Sequence, residues 1–225
     1  MGLGQSIQGQ GCFWRDDYIL KFCKDKRVLH VGCTAYPFFR EALKGDYLLH
    51  EKLSKITNQL VGIDIVKEEL EVMRKRGYDA RLVDARHMSD HPWNDSFDVI
   101  LLADVIEHIS NPGLVLAEAK KLLREEGKIV ISVPNALGII RFLKSFFRYE
   151  QVHPDHVAYY SSGTLGTLAK TLNLDLIETG WYRFEVRDKR FIVYMSAFLE
   201  RIITAFFPWQ AEGCLAVMVP ANIKP

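Results

Sequence analysis

A continuous apolar run, Phe97 to Ala103, breaks into Asp104, Glu107 and His108. Carboxylates and an imidazole can hold a cofactor's polar groups, take up a proton, or bind a cation. The run suits a strand buried on both faces of a parallel sheet. In open α/β sheets, ligands bind outside the carboxyl ends of such strands. Two more carboxylates stand in comparable places: Asp64 closes Leu60-Val-Gly-Ile, and Asp84 closes Ala80-Arg-Leu-Val. A carboxylate ending the second strand can accept hydrogen bonds from both ribose hydroxyls of a nucleoside, as in dinucleotide folds. One ending the third strand suits an adenine amino group. Each singly could be a helix N-cap; carboxylates at three successive strand ends point to a nucleoside-binding edge. Val28-Leu-His-Val-Gly-Cys33 adds a strand running into Gly32, where the absent Cβ lets a ligand approach the backbone. His108, His153 and His156 are the candidates for proton transfer, with His153 and His50 read as hydrogen-bonded loop or helix-start residues.

The elements that must position these residues alternate between strand and helix, the pattern of a parallel sheet with helices on both faces. Phe13 to Phe22 has helical spacing of its apolar residues. Strands are expected at Arg27–Gly32, Leu60–Asp64, Ala80–Asp84, Phe97–Ala103 and Lys128–Val133, then within Leu174–Phe184 and at Gly213–Val219. Between them, Glu41–Thr57 reads as helical with a break near Gly45, and Glu68–Arg76 as a helix stopped by Gly77. A further helix opens at Pro112, runs to about Glu125 and stops at Gly127, and another covers Thr164–Leu172. Phe191 to Phe207 carries a wide apolar helical stripe interrupted by Glu200 and Arg201, too charged for a membrane span. Packing on the sheet or on the N-terminal helix is its simplest role. A dimer surface, a lid over an apolar substrate or an interfacial membrane contact are the sharper ones.

The 225 residues, 48% hydrophobic and 25% charged, suffice for one α/β domain with a substantial core. A formal net charge of +1 gives no field pointing to nucleic acid or acidic lipid, and no nucleic-acid partner is expected. Cys12, Cys23, Cys33 and Cys214 form no CxxC pair, so neither a zinc site nor a disulfide framework is suggested. Met1-Gly-Leu-Gly-Gln-Ser6 fits the myristoylation pattern only loosely and reads as a polar terminus. With no secretory signal, a cytoplasmic location is expected. The chain reads as a single domain over 1–225, with an N-terminal helical cap over 1–25 and a helical insertion over 187–209.

These motifs, in this order and spacing, resemble the class I S-adenosylmethionine-dependent methyltransferases, from about Val28 to Val219. Val28-Leu-His-Val-Gly-Cys33 is similar to that family's first motif, usually Val-Leu-Asp-Ile-Gly-Cys-Gly-x-Gly. Val61-Gly-Ile-Asp-Ile65 is similar to its acidic ribose motif and Val83-Asp-Ala85 to its adenine-side motif. Phe97–Ile109, Leu122–Asn135 and His156-Val-Ala-Tyr-Tyr-Ser161 resemble segments of the branch that includes the quinone O-methyltransferases. The resemblance implies a Rossmann-like methyltransferase fold, with a mostly parallel seven-stranded sheet and an antiparallel last strand. It implies S-adenosylmethionine as cofactor. Gly32 and Cys33 would lie under its methionine part, Asp64 on the ribose with Ile65 beside the adenine, Asp84 and Ala85 at the adenine edge, and Ala103 and Asp104 beside the methionine and sulfonium.

The chain departs from the pattern at His30, where Asp is usual, and at Thr34 and Tyr36, where glycines are usual. The stretch from Gly32 to Asp64 is also long for a βα connection. A remodelled but working pocket is expected, because Asp64, Asp84 and Asp104 are all present. His108 and His156 are the expected catalytic groups on the acceptor side, His108 beside the methyl group and His156 in a facing loop. Asp104, Glu107, His108 and His156 also resemble the Glu-x-x-Glu-His plus distal His of metal-dependent RNA 2′-O-methyltransferases. Asp stands for the first Glu, and Glu107 suits the first turn of a helix, so no resident metal is expected. The expected reaction is methyl transfer, at oxygen, to a small-molecule, saccharide or lipid-linked acceptor. Peripheral membrane contact through 191–209 and a homodimer are the partner expectations, and a non-catalytic cofactor-binding scaffold is the alternative. A dinucleotide oxidoreductase is disfavoured, since no GxGxxG follows the first strand.

Overall fold

The run Phe97–Ala103 is a strand with six of its seven residues buried, flanked on both sides by other strands. The computed structural model describes residues 9, 11–94, 96–150, 152–183 and 191–221. Its strands are β1 (Cys12–Trp14), β2 (Arg27–Val31), β3 (Gln59–Asp64), β4 (Ala80–Leu82), β5 (Phe97–Ala103), β6 (Leu123–Pro134), β7 (Leu174–Arg183) and β8 (Gly213–Pro220). The helices are α1 (Arg15–Cys23), α2 (Phe39–Lys44), α3 (Leu49–Ser54), α4 (Lys67–Lys75), α5 (Pro112–Leu122), α6 (Ile139–Ser145), α7 (Ser162–Thr171) and α8 (Phe191–Phe206). One sheet holds all eight strands in the order β1-β7-β8-β6-β5-β2-β3-β4. All pairings are parallel except those of β8 with β6 and β7. The chain therefore steps outward from β2 to β4 and returns to β5 on the other side of β2. That reversal opens a crevice at the carboxyl ends of β2 and β5.

Alternation along each strand divides the core. Leu29, Ile63, Ile100, Leu102, Ile129 and Ile131 pack with Val115, Leu116 and Ala119 of α5 and with Leu165 and Ala169 of α7. Val28, Val99, Leu101, Ala103 and Val130 face the other way, onto Tyr18, Ile19 and Cys23 of α1 and Leu49 and Leu53 of α3. With helices covering both faces, the central strands are apolar throughout.

The expected mostly parallel α/β sheet with an antiparallel last strand is present, but it has eight strands and not seven. Phe13 and Trp14, expected in a helix, belong to β1, which pairs parallel with Trp181–Arg183 of β7. Aromatic residues suit the pleated edge position, and the Arg183 guanidinium stacks 5.4 Å from the Trp14 ring centre. α5 ends at Leu122 and not near Glu125; the register between β5 and β6 then slips at a bulge where Glu126 has φ +65°. β4 stops at Leu82, so Asp84 lies beyond the strand. Met1–Ser6, Phe184 and the first part of the 187–209 insertion lie outside the described residues.

α8 corrects a second expectation. Its apolar stripe does not pack on the sheet: Phe191 is 78% exposed, Phe198 59% and Phe206 75%, whereas Glu200 and Thr204 face inward. Glu200 accepts a hydrogen bond from the Glu212 amide at 2.9 Å. Among the described residues, no helix is long and apolar enough to cross a membrane.

Close packing between β7 and β8 sets up the site. Tyr182 lies opposite Gly213, and its ring fills the space a side chain there would take: a Cβ would come within 2.0 Å of Cζ. Gly213→Ala is expected to destabilise the fold by about 2–3 kcal/mol, the range for overpacking a core, read as a lowered midpoint in urea unfolding. An unchanged midpoint would mean the Tyr182 ring moves aside freely.

Candidate active site

The crevice between β2 and β5 is a cavity of about 1120 Å³. Its wall begins where β2 ends. Gly32 has φ +73°, a left-handed conformation, and a Cβ there would come within 2.6 Å of Val105 Cγ2; glycine answers both demands. The turn is tied down by Asp64 at the end of β3. Asp64 Oδ2 accepts hydrogen bonds from Thr34 N (3.1 Å) and Thr34 Oγ1 (2.8 Å). Its Oδ1 accepts from the Ile65 amide at 2.7 Å and the Val66 amide at 3.3 Å. Beside it the Ile65 side chain is 69% exposed in the cavity, an uncovered apolar shelf. Under the turn, buried His30 and His50 stack, their Nδ1 atoms 3.2 Å apart. Burial chiefly holds both below the usual imidazole range, His50 at about 4. At neutral pH they are an uncharged, hydrogen-bonded pair filling the place of the usual Asp.

Asp84 caps the short 3-10 helix Ala85–Asp90, accepting from the Arg86 amide at 2.9 Å. The Arg86 guanidinium, 2.5 Å from Oδ2, keeps this carboxyl below its ordinary range. Ala85 and Val83 line the cavity beside it.

Asp104 follows β5 with φ +54°, and its carboxylate turns toward β6, β7 and α1. Oδ1 accepts from Ser132 Oγ at 3.1 Å and Tyr182 OH at 2.8 Å; Oδ2 pairs with Arg15 Nη1 at 3.0 Å. Burial and this carboxylate push the Tyr182 phenol well above its usual range, so it stays a donor. Glu107, in the 3-10 turn Ile106–His108, is fully buried, and neither carboxyl oxygen has a hydrogen-bond partner. Burial first, and the charge of Asp104 second, push it up to about 9, which leaves it protonated at neutral pH.

Opposite, His153-Pro-Asp-His156 is a tight turn closed by the His156 amide on the His153 carbonyl at 3.0 Å. Pro and Asp suit its central positions. The Val157 amide then donates to the Glu107 carbonyl at 2.8 Å, pinning this turn against His108. The rings of His108 and His156 meet edge to face with centres 4.5 Å apart, and His153 lies 5.2 Å from His156. Burial, followed by its two neighbours, lowers His156 to about 4, and burial also lowers His108.

A family model described as a methyltransferase domain matches residues 13–179 of this sequence. The chain belongs to this methyltransferase-domain family. The ubiquinone biosynthesis O-methyltransferase of Azorhizobium caulinodans is 29% identical over 138 residues, covering 60% of this chain and 48% of that protein. The corresponding protein of Hydrogenovibrio crunogenus is 24% identical over 191 residues, covering 79% and 74%. The chain thus spans about half the length of the first of these curated relatives. Among solved structures, the Bradyrhizobium japonicum N-methyltransferase NodS in complex with S-adenosyl-L-homocysteine superposes with a TM-score of 0.55 at 15% identity, over 91% of this chain and 84% of NodS. Synechocystis magnesium protoporphyrin IX methyltransferase gives 0.59 at 10% identity, over 92% and 82%. Both share the fold.

In this member of the family Gly32, Cys33, Asp64, Ile65, Asp84, Ala85, Ala103, Asp104, His108 and His156 line one cavity. Their side chains are not equally available. The Asp104 carboxylate is held within the protein, and Cys33 is fully buried with its thiol pushed up by burial. His153, read from sequence as an ordinary loop residue, joins the histidine cluster. Arg15 and Tyr182, which hold Asp104, carry no sequence signal, because only the packing of α1 and β7 over β5 brings them there. Thr34 is the feature that replaces the usual glycine: fully buried, it braces Asp64.

The neutral state of Glu107 has a measurable consequence. Its folded-state pKa is raised from 4.5 to about 9, so its contribution to stability is full below about pH 4.5 and is lost as pH rises toward 9. Glu107→Gln, neutral throughout, is expected to gain on the wild type by roughly 1–3 kcal/mol between pH 5 and about 8, read in denaturant melts at each pH. Parallel pH profiles would show that Glu107 ionises freely in the folded protein.

Proposed function

We propose that this protein is a methyltransferase that uses S-adenosylmethionine to methylate an oxygen of a small-molecule, saccharide or lipid-linked acceptor. One observation carries the reading: a single cavity, slightly above the roughly 300–1,000 Å³ of ordinary ligand pockets, joins a nucleoside-type end to an imidazole-lined end. The volume is about 1120 Å³, with Asp64, Ile65 and Asp84 at the first end and His108, His156 and Tyr159 at the second. That is room for a cofactor and an acceptor together.

The cofactor supplies a methyl group already activated on a sulfonium. Asp64 is placed to take ribose hydroxyls and Ile65 to cover an adenine face. Gly32 lets the methionine part lie against the backbone, and Ala103 presents only a methyl group where donor and acceptor meet. Alignment in a dry cavity then does most of the work. His108 and His156, neutral because of burial and mutual repulsion, are able to take the proton that an acceptor hydroxyl loses. α8 and α6, two helices in contact, both expose apolar side chains, Phe191, Phe198 and Phe206 on one and Phe142 and Phe146 on the other, and Arg141 of α6 lines the cavity. This supports a lipid-linked acceptor, met at a membrane surface through 191–209, or a second copy of the chain covering the same face.

The bracing of Asp64 favours one alternative, a cofactor-binding scaffold without catalysis. The four hydrogen bonds from Thr34, Ile65 and Val66 use the full accepting capacity of that carboxylate. A ribose must therefore displace the Thr34 hydroxyl.

Isothermal titration with S-adenosylhomocysteine is expected to give a micromolar complex, weakened about tenfold or more in Asp64→Asn by loss of charged hydrogen bonds. Transfer of a radiolabelled methyl group to phenolic or polyprenyl-phenol acceptors then separates enzyme from scaffold. Absence of heat at high micromolar protein would sink both readings.

A further inference from the structure

The carboxylates that sequence resemblance places in a metal set do not take part in one here. Both oxygens of Asp104 are engaged by Arg15, Ser132 and Tyr182, and Glu107 is buried without a partner. A different set is assembled. The ring nitrogens of His108, His153 and His156 that face one another all lie within 4.8 Å. Two backbone hydrogen bonds hold them together, the His153–His156 turn and the Val157–Glu107 bridge. His156 Nδ1 is buried and has no hydrogen-bond partner, which leaves a lone pair or an N–H unanswered in the cavity wall. The geometry, three ring nitrogens converging on one point beside an unsatisfied Nδ1, is that of a ligand set.

We propose that His108, His153 and His156 form a tridentate site for a divalent transition-metal ion on the acceptor wall of the cavity. Imidazole ligands select ions of the zinc type; magnesium and calcium prefer oxygen. Metal–nitrogen bonds of about 2.0–2.1 Å require the three nitrogens to draw together by roughly an ångström. The turn carrying His153 and His156 is irregular chain able to follow. His153 Nδ1 accepts the Asp155 amide at 3.3 Å, with Asp155 Oδ2 a further 3.8 Å contact, so the turn fixes the ring's orientation toward the cluster. Three protein ligands leave a coordination position open, the arrangement of catalytic and not structural zinc sites. Facing the cavity, that position accepts an acceptor hydroxyl, and the ion lowers its pKa so that the proton leaves to solvent water; with the ion bound, His108 and His156 serve as ligands and not as bases. The site deepens the acceptor end of the proposed function and does not depend on which acceptor is used.

The test uses the full chain and the metal alone. Titration with Zn²⁺, followed by elemental analysis after dialysis, is expected to give one ion per chain. Co²⁺ loading is expected to produce visible absorption bands of a low-coordinate nitrogen site. His153→Ala changes a partly exposed loop residue that the methyl-transfer reading alone does not need. It is expected to weaken Zn²⁺ by tenfold or more, as loss of even an outer-shell partner does, while S-adenosylhomocysteine affinity and the thermal midpoint stay at wild-type values. His156→Asn is expected to weaken Zn²⁺ as well. An excess of Mg²⁺ should not displace the ion. Substoichiometric zinc binding, or zinc binding indifferent to His153→Ala, overturns the site even where the cofactor analogue still binds. If the analogue fails to bind while zinc binds, the failure belongs to the methyltransferase reading instead.

Discussion

The Asp104 carboxylate is the point on which the cavity's architecture turns. It follows the central strand in a left-handed conformation that costs a non-glycine residue about a kilocalorie per mole or more. Four hydrogen-bonding contacts from three directions repay that strain: the backbone amide to β6, Ser132 on the same strand, Tyr182 from β7 and Arg15 from α1. One side chain thus joins the two halves of the sheet to the N-terminal helix at the mouth of the crevice. Gly213 belongs to the same device, because only a residue without a side chain leaves Tyr182 room to reach inward. Removing either Arg15 or Tyr182 would leave a largely buried charge underpaired, the most expensive kind of defect in such a pair.

Holding Asp104 charged sets the state of its neighbours. Glu107, three residues on and fully buried, cannot also ionise cheaply, and it keeps its proton. On the opposite wall burial, and after it the neighbouring imidazoles, lower both His108 and His156. The cavity wall thus sets carboxylates at Asp64, Asp84 and Asp104 apart from a histidine cluster flanked by Arg141 and Asp155. Like charges pushing neighbouring groups to different protonation states is a general way to obtain an acid and a base in one site.

Elements with one dominant cause were legible in the sequence. The buried strands, the glycine turn after β2 and the acidic strand ends follow from apolar runs and their polar terminations. What was not legible depended on competition or on contacts distant in the chain. Phe13 and Trp14 fit a helical period, but an open sheet edge at β7 claimed them as a strand. α8 carries a strong apolar stripe; what fixes its orientation is the buried bond from Glu200 to the Glu212 amide, and the stripe faces outward. Tyr182 reaches Asp104 across 78 residues of chain, and no local pattern marks it or Arg15; His153 was visible as a histidine, but its place in a cluster was not.

The two ends of the cavity are built on different materials, and this bears on how the protein can vary. The nucleoside end rests on strand termini whose positions are fixed by the ladder, so even a departure as large as Thr34 for glycine leaves Asp64 at the end of β3. The histidine end rests largely on irregular chain between α6 and α7, where the His153–His156 turn and the Val157–Glu107 bond set two of the histidines against His108. Loops on a rigid scaffold tolerate change, so the acceptor wall can be rewritten without disturbing the cofactor wall. The link between the two is the short segment Asp104 to His108: its first residue anchors the sheet, and its last belongs to the imidazole cluster. On the proposed reading, a shift of that segment would move donor and acceptor relative to one another, and rigidity at Asp104 would serve their alignment for transfer.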